Sequence, residues 1–174
     1  TSPKSIIITV NAGLIPADHW TQNPSVGGGR IIGEACHFID LSRFLTGSPI
    51  TSAQSTFSKC SSELEMPDTA SISLSFENGS HAVVHYLANG SKAFPKERVE
   101  VFTEGKILQM DNFRTLKGFG WKGLKTVRSF KQDKGQQNFT RAFMNSIVSG
   151  SEDIIPFDEL MEVSRATITA ANQD

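Results

Sequence analysis

The 174-residue chain carries 17 Lys and Arg against 18 Asp and Glu, for a formal net charge of -1, with 38% hydrophobic and 20% charged residues. These values fit one globular domain, residues 1–174, and argue against nucleic-acid or anionic-membrane partners; Lys122, Lys125, Arg128, Lys131 and Lys134 are spread out and read as a solvated face or loop. The two cysteines, Cys36 and Cys60, make no disulfide framework, and neither a signal peptide nor a membrane-length apolar run is visible, so a reducing, cytoplasmic setting is expected.

Ile6 to Asn11 reads as a β-branched strand. It starts so close to Thr1 that the chain is expected to be a piece of a longer protein. A long connection follows to Gly29, with His19 and Trp20 inside it; connections of that length are often functional. A polar aromatic pair in such a loop suits a sugar or polyol. A surface loop with one anchoring Trp is the equal alternative. The spacing then predicts a helix from about Arg30 to Thr46, stopped by Gly47 and Pro49.

Ile50 to Ser58 reads as a strand, and Thr69 to Glu77 alternates Ala70, Ile72, Leu74 and Phe76 against Ser71, Ser73 and Ser75. Asn78-Gly79 signals a type I′ turn into a second hairpin arm, His81 to Ala88. Val99 and Val101, the Glu104-Gly105-Lys106 turn and Ile107 to Met110 predict another hairpin, with a short strand or two between Asn112 and Ser129. Lys134 to Val148 has helical spacing, with Phe139, Ala142, Phe143 and Ile147 on one stripe, and Gly150 ends it. Phe157 to Ala171 is the last helix, with Pro156 or Asp158 at its start. The order argues for an α+β fold: a largely antiparallel, mixed sheet with helices on one face. The serine face is left for solvent or another subunit.

The first helix carries the chemistry. At about 100° per residue, Ile31, Ile32, Ala35, Cys36, Phe38 and Ile39 share a broad apolar arc. Gly33, His37 and Asp40 fall on the opposite side, with Glu34 flanking His37. A narrow polar sector on an apolar helix points to a cleft. A structural histidine hydrogen-bonded to Asp40 or backbone is the competing reading. Gly27-Gly28-Gly29 before the helix is not G-x-G-x-x-G and lies in no βαβ unit, so dinucleotide binding by this chain alone is not expected; the glycines instead allow a tight turn and close approach of a ligand. No metal site is expected. Glu34-x-x-His37 lacks a second such pair, and His81 and His85 lie about 13 Å apart along a strand. No nucleophile elbow is present.

These residues resemble the C-terminal domain of the Gfo/Idh/MocA oxidoreductases, in which a glycine-rich turn precedes Asp-x-Gly-x-His-x-x-Asp on a helix. Here Gly27-Gly28-Gly29 precedes Gly33-Glu34-Ala35-Cys36-His37-Phe38-Ile39-Asp40. Leu41 to Gly47 continues that helix, and Ile155-Pro156-Phe157-Asp158-Glu159-Leu160 resembles the family's closing helix, so the likeness runs from about Val10 to Gln173. The wording Val10-Asn11-Ala12-Gly13, Asp18-His19-Trp20 and Gly29 to Glu34 is most similar to members fused behind a zinc alcohol dehydrogenase-like region. Gly33 stands where the family has an acid, and Ala35 where it has glycine.

The resemblance implies a sheet like that of the glyceraldehyde-3-phosphate dehydrogenase C-terminal domain. It implies a substrate-binding and oligomerising role in an NAD- or NADP-dependent dehydrogenase acting on a sugar, polyol or related alcohol. The cofactor would be bound mainly by an N-terminal Rossmann domain absent from this chain, which alone is expected to be inactive. By the same resemblance the catalytic residues are His37, Asp40 and Glu34. Asn11, His19, Trp20, Gly28, Gly29 and Gly33 are the substrate-binding set. His37 orients or deprotonates the hydroxyl, a task suited to imidazole, which titrates near neutral pH. A homodimer or homotetramer through the open sheet face is expected. A non-catalytic dimerisation or scaffold domain and a carbohydrate-binding module are the alternative functions.

Overall fold

The computed structural model describes residues 2–58, 67–124, 126–151 and 153–172. Cys60, Lys125 and Gln173 lie outside the described residues. β-branched and alternating segments build eight strands: β1 (Ser5–Asn11), β2 (Ile50–Phe57), β3 (Ala70–Phe76), β4 (His81–Leu87), β5 (Glu97–Thr103), β6 (Lys106–Asp111), β7 (Thr115–Phe119) and β8 (Val127–Arg128). Among the described residues they form one sheet in the order β2-β3-β4-β1-β5-β6-β7-β8. β1 lies in the middle, parallel to β4 and antiparallel to β5, and the other neighbours pair antiparallel. The α+β expectation with a mixed, mainly antiparallel sheet holds.

The period-2 pattern sorts the two faces. Ile6, Ile8 and Val10 of β1 are fully buried, aligned through the register with Ala82, Val84 and Tyr86 of β4 and with Ala70, Ile72 and Leu74 of β3. This face is covered by α1 (Cys36–Thr46) and α3 (Phe157–Ala171), which pack on each other; α3 also lies on β2. Phe38 and Ile39 of α1 and Val163, Ala166 and Ala170 of α3 join that core. Arg43 ties the helices together, reaching Glu159 at 3.4 Å and Glu162 at 2.9 Å. Glu162 also accepts the Ile50 backbone N–H at 2.6 Å, fixing the start of β2. On the other face, Ser71, Ser73, Ile7, Val83 and His85 form an uncovered mixed surface.

One expectation needs correction. The Asn78-Gly79 turn is not type I′, which needs positive φ at both central residues. Only Gly79 takes one (φ 80°), and Phe76 and Ser80 close the turn with a 3.0 Å hydrogen bond from the Phe76 N–H to the Ser80 carbonyl. The two-residue left-handed geometry occurs instead at Glu104 (φ 47°) and Gly105 (φ 70°), between β5 and β6. In α1, Phe38 and Ile39 are buried whereas Phe44 is 73% exposed. The helix α2 (Gln136–Ser149) buries none of its residues.

Candidate functional site

The predicted first helix is present but is entered through a π-turn, Ile31–Ala35, before α1 begins. Each π-turn widens the helix by one residue and re-aims side chains, and such turns concentrate at functional sites. Gly47 (φ 63°) ends α1, its N–H donating to the Arg43 carbonyl at 3.1 Å. The widened turn separates the polar sector in two. Gly33 and His37 are exposed and Asp40 half-buried on one side. Glu34 instead turns toward the sheet.

There Glu34 meets Tyr86 of β4, a fully buried residue whose hydroxyl donates to Glu34 Oε2 at 2.7 Å. Arg30, 2% exposed, lies alongside, with Nε 3.4 Å from Glu34 Oε1 and its guanidinium 5.4 Å from the centre of the Tyr86 ring. Arg30 also donates from Nη1 to the Gly13 carbonyl at 2.8 Å and from Nη2 to the Ala12 carbonyl at 3.3 Å. One buried cation therefore ties the exit of β1 to the π-turn. Burial raises the Glu34 carboxyl, but the Tyr86 hydroxyl, Arg30 and Lys96 outweigh it, and the acid is held below its ordinary range. Burial and the Glu34 contact push the Tyr86 phenol far upward, so it stays a donor. Glu34 is thus a fixed anion with its interactions directed at Tyr86 and Arg30.

The acid facing His37 is Asp40. Burial raises its carboxyl, against the pull of His37 and of Arg43. Cys36, half-buried between the two acids, has its thiol pushed up chiefly by burial.

The glycine turn is held by close approach. A Cβ on Gly27 would sit 2.6 Å from both Thr21 Cα and the Trp20 carbonyl oxygen, so only glycine lets the short 3-10 turn Trp20–Gln22 lie against it. The structure thereby brings Trp20, 62% exposed, and the exposed His19 to the glycine turn. His19 Nδ1 is 2.8 Å from Thr21 Oγ1 and its ring 5.9 Å from Trp20. Gly28 (φ 69°) and Gly29 (φ 81°) are left-handed, the second of them buried. The N–H groups of Gly27 and Gly28 donate to the Asn23 carbonyl, at 2.9 and 3.2 Å. They are therefore not turned outward as a phosphate cradle. At Gly33 a Cβ would meet only the Gly27 carbonyl, at 3.7 Å, so the polar sector starts against the glycine turn with room beside it. Asn11 anchors the neighbouring loop, its Nδ2 donating to the carbonyls of Ser91 at 2.7 Å and Phe94 at 3.2 Å.

Arg30, Tyr86 and Lys96 were not among the residues the sequence pointed to, and Gly27 was read only as part of the glycine turn. Arg30 and Glu34 did carry a signal, the i,i+4 spacing of an ion pair. A separate cleft of about 540 Å³, lined among others by Asp111, Arg114, Arg128 and Phe130, contains none of the predicted site residues.

Residues 4–108 match the family model described as the GFO/IDH/MocA C-terminal domain. The chain belongs to that family. No curated protein gives a significant sequence match. Among solved structures, UDP-N-acetylglucosamine 3-dehydrogenase GnnA from Acidithiobacillus ferrooxidans aligns over 98% of this chain and 53% of its own, at TM-score 0.75 and 16% identity. An aldose-aldose oxidoreductase from Caulobacter crescentus, complexed with glycerol, covers 96% of this chain and 52% of its own at TM-score 0.71 and 18% identity. GenD2 from gentamicin A biosynthesis, in complex with NAD, covers 97% and 52% at TM-score 0.68 and 16% identity. At these identities the likeness is one of fold. The chain spans about half the length of these structures, and the family is one of oxidoreductases.

Proposed function

We propose that this chain is the substrate-binding part of an NAD- or NADP-dependent dehydrogenase acting on a sugar, polyol or related alcohol. One observation carries the reading. The exposed Gly33–His37–Asp40 sector opens beside the glycine turn on a helix that Arg30, Glu34 and Tyr86 fix to the sheet, in a chain of this family. His37 accepts the proton of the substrate hydroxyl as the alcohol is oxidised, and Asp40 steadies the imidazolium so formed. Glu34, locked by Tyr86 and Arg30, serves as a fixed anion under the site and moves no proton. Trp20 and His19 border the opening, where an exposed indole face suits the C–H face of a sugar ring.

The glycine turn does not fit a dinucleotide pyrophosphate, because the N–H groups of Gly27 and Gly28 and the Arg30 guanidinium are already bonded within the chain. The hydride acceptor therefore belongs to a domain outside these residues, in keeping with neighbours about twice this length, one of them solved with NAD. The wording Val10-Asn11-Ala12-Gly13, Asp18-His19-Trp20 and Gly29 to Glu34 supports a likeness to members fused behind a zinc alcohol dehydrogenase-like region. The uncovered sheet face around Ile7 and Val83 is the proposed surface for a homodimer or homotetramer.

A specific observation favours a second reading, a non-catalytic scaffold. Gly33 offers no acid to His37, and Glu34 is committed elsewhere. The full-length gene product, assayed for NAD and NADP reduction with aldoses, polyols and nucleotide sugars, separates the two. Reduction with at least one such alcohol is expected. Absence of turnover across the panel, with cofactor binding intact, establishes the scaffold instead.

A further inference from the structure

α2 leaves the sheet from a fixed root and then has no cover. At the root, Lys134 Nζ lies 2.6 Å from a Glu97 carboxylate whose side chain is 1% exposed, and Gln132 donates to the same carboxylate at 3.2 Å. Gly135 (φ 80°) turns the chain into the helix. Along its 14 residues α2 buries nothing, although Phe139, Phe143 and Ile147 recur every four residues. They are 53%, 50% and 59% exposed, and the two phenylalanine rings stack in parallel at 6.4 Å. Met144, 52% exposed, widens the stripe, while Arg141 and Asn145 lie on the opposite side. An isolated helix of this length is marginal in water, and an apolar stripe of this kind marks a contact surface.

We infer that the α2 stripe docks on the remainder of the same polypeptide, the cofactor-binding domain invoked above; the inference rests on that functional reading. Two observations select this occupant. Solved structures align with 96–98% of this chain, a span that takes in α2, and yet carry nearly as much chain again. The root is also clamped by the pair of Lys134 with the buried Glu97 carboxylate, which holds the stripe in one place as a cis interface requires. The stripe carries no charge, so the surface it meets is apolar and neutral.

Hydrogen exchange of the α2 amides tests this, comparing the full-length gene product with the 174-residue chain. Exchange roughly 100-fold slower in the full-length product is expected, and Phe143→Asp there erases the difference. Phe143→Asp leaves the melting temperature of the 174-residue chain unchanged, and Arg141→Ala alters protection in neither. Equal exchange in both proteins overturns the inference. So does protection in the 174-residue chain that rises with its own concentration, since a second copy is then the occupant. Protected α2 without alcohol oxidation overturns the functional reading and leaves the docking standing; oxidation with unprotected α2 does the reverse. A gene encoding no further domain overturns both.

Discussion

Tyr86→Phe removes one oxygen and creates no cavity, so it isolates the bond that holds Glu34. The hydroxyl is fully buried and lies 2.7 Å from the carboxylate. A hydrogen bond to a charged acceptor contributes about 1.5–3 kcal/mol. The Glu34 side chain is 35% exposed and keeps Arg30, so water and the guanidinium recover part of the loss. About 1–2 kcal/mol is therefore expected at pH 7, or roughly 2–8 °C in melting temperature for a chain of this size. The pH dependence has a definite sign. Glu34's folded-state pKa lies below the ordinary glutamate value. Its stabilising contribution is thus complete above that value and is lost as pH falls through the lower folded one. Thermal melts of both proteins from pH 7 down to pH 3 should show the gap narrowing on the acid side. A loss under about 0.5 kcal/mol at pH 7, or a gap that does not shrink with acid, refutes the network as described.

Other substitutions probe neighbouring contacts. Gly27→Ala forces its Cβ into the Trp20 carbonyl and Thr21 Cα, both at 2.6 Å and both backbone. It should destabilise by about 1–3 kcal/mol in a denaturant titration. Gly33→Asp, whose Cβ meets only a carbonyl at 3.7 Å, should melt no lower than the parent, and a drop of several degrees would contradict the open space assigned there. Lys134→Met strands the buried Glu97 carboxylate and should cost about 2–3 kcal/mol. Lys117→Met, which breaks only a 3.9 Å exposed pair with Asp111, should stay within about 0.5 kcal/mol in the same titration.

β1 was readable as a β-branched run, and β3 because Ala70, Ile72, Leu74 and Phe76 alternate with serines, one buried face fixing that period. The end of α3 at Ala171 and the glycine stop of α1 were readable for local reasons of the same kind. The π-turn was not. It differs from an α-helix by one hydrogen-bond step that no residue type in Ile31–Ala35 demands, and it sits beside Arg30, whose bonds reach carbonyls 17 and 18 residues away. Assuming a uniform 100° step placed Glu34 beside His37, whereas the tertiary bond to Tyr86 turns it to the sheet. The α2 stripe was read correctly as apolar and amphipathic, but periodicity names a face and not what covers it. The Asn78-Gly79 turn failed because Asn tolerates left-handed φ without requiring it.

In the function we propose, His37 is the base that takes the proton of the alcohol. The most direct measurement is the turnover of the full-length gene product with and without His37→Ala, at saturating alcohol and cofactor. His37 is exposed, so the variant should fold normally while kcat falls by about 10²–10⁴. An unchanged kcat in a folded variant would show that His37 is not the base.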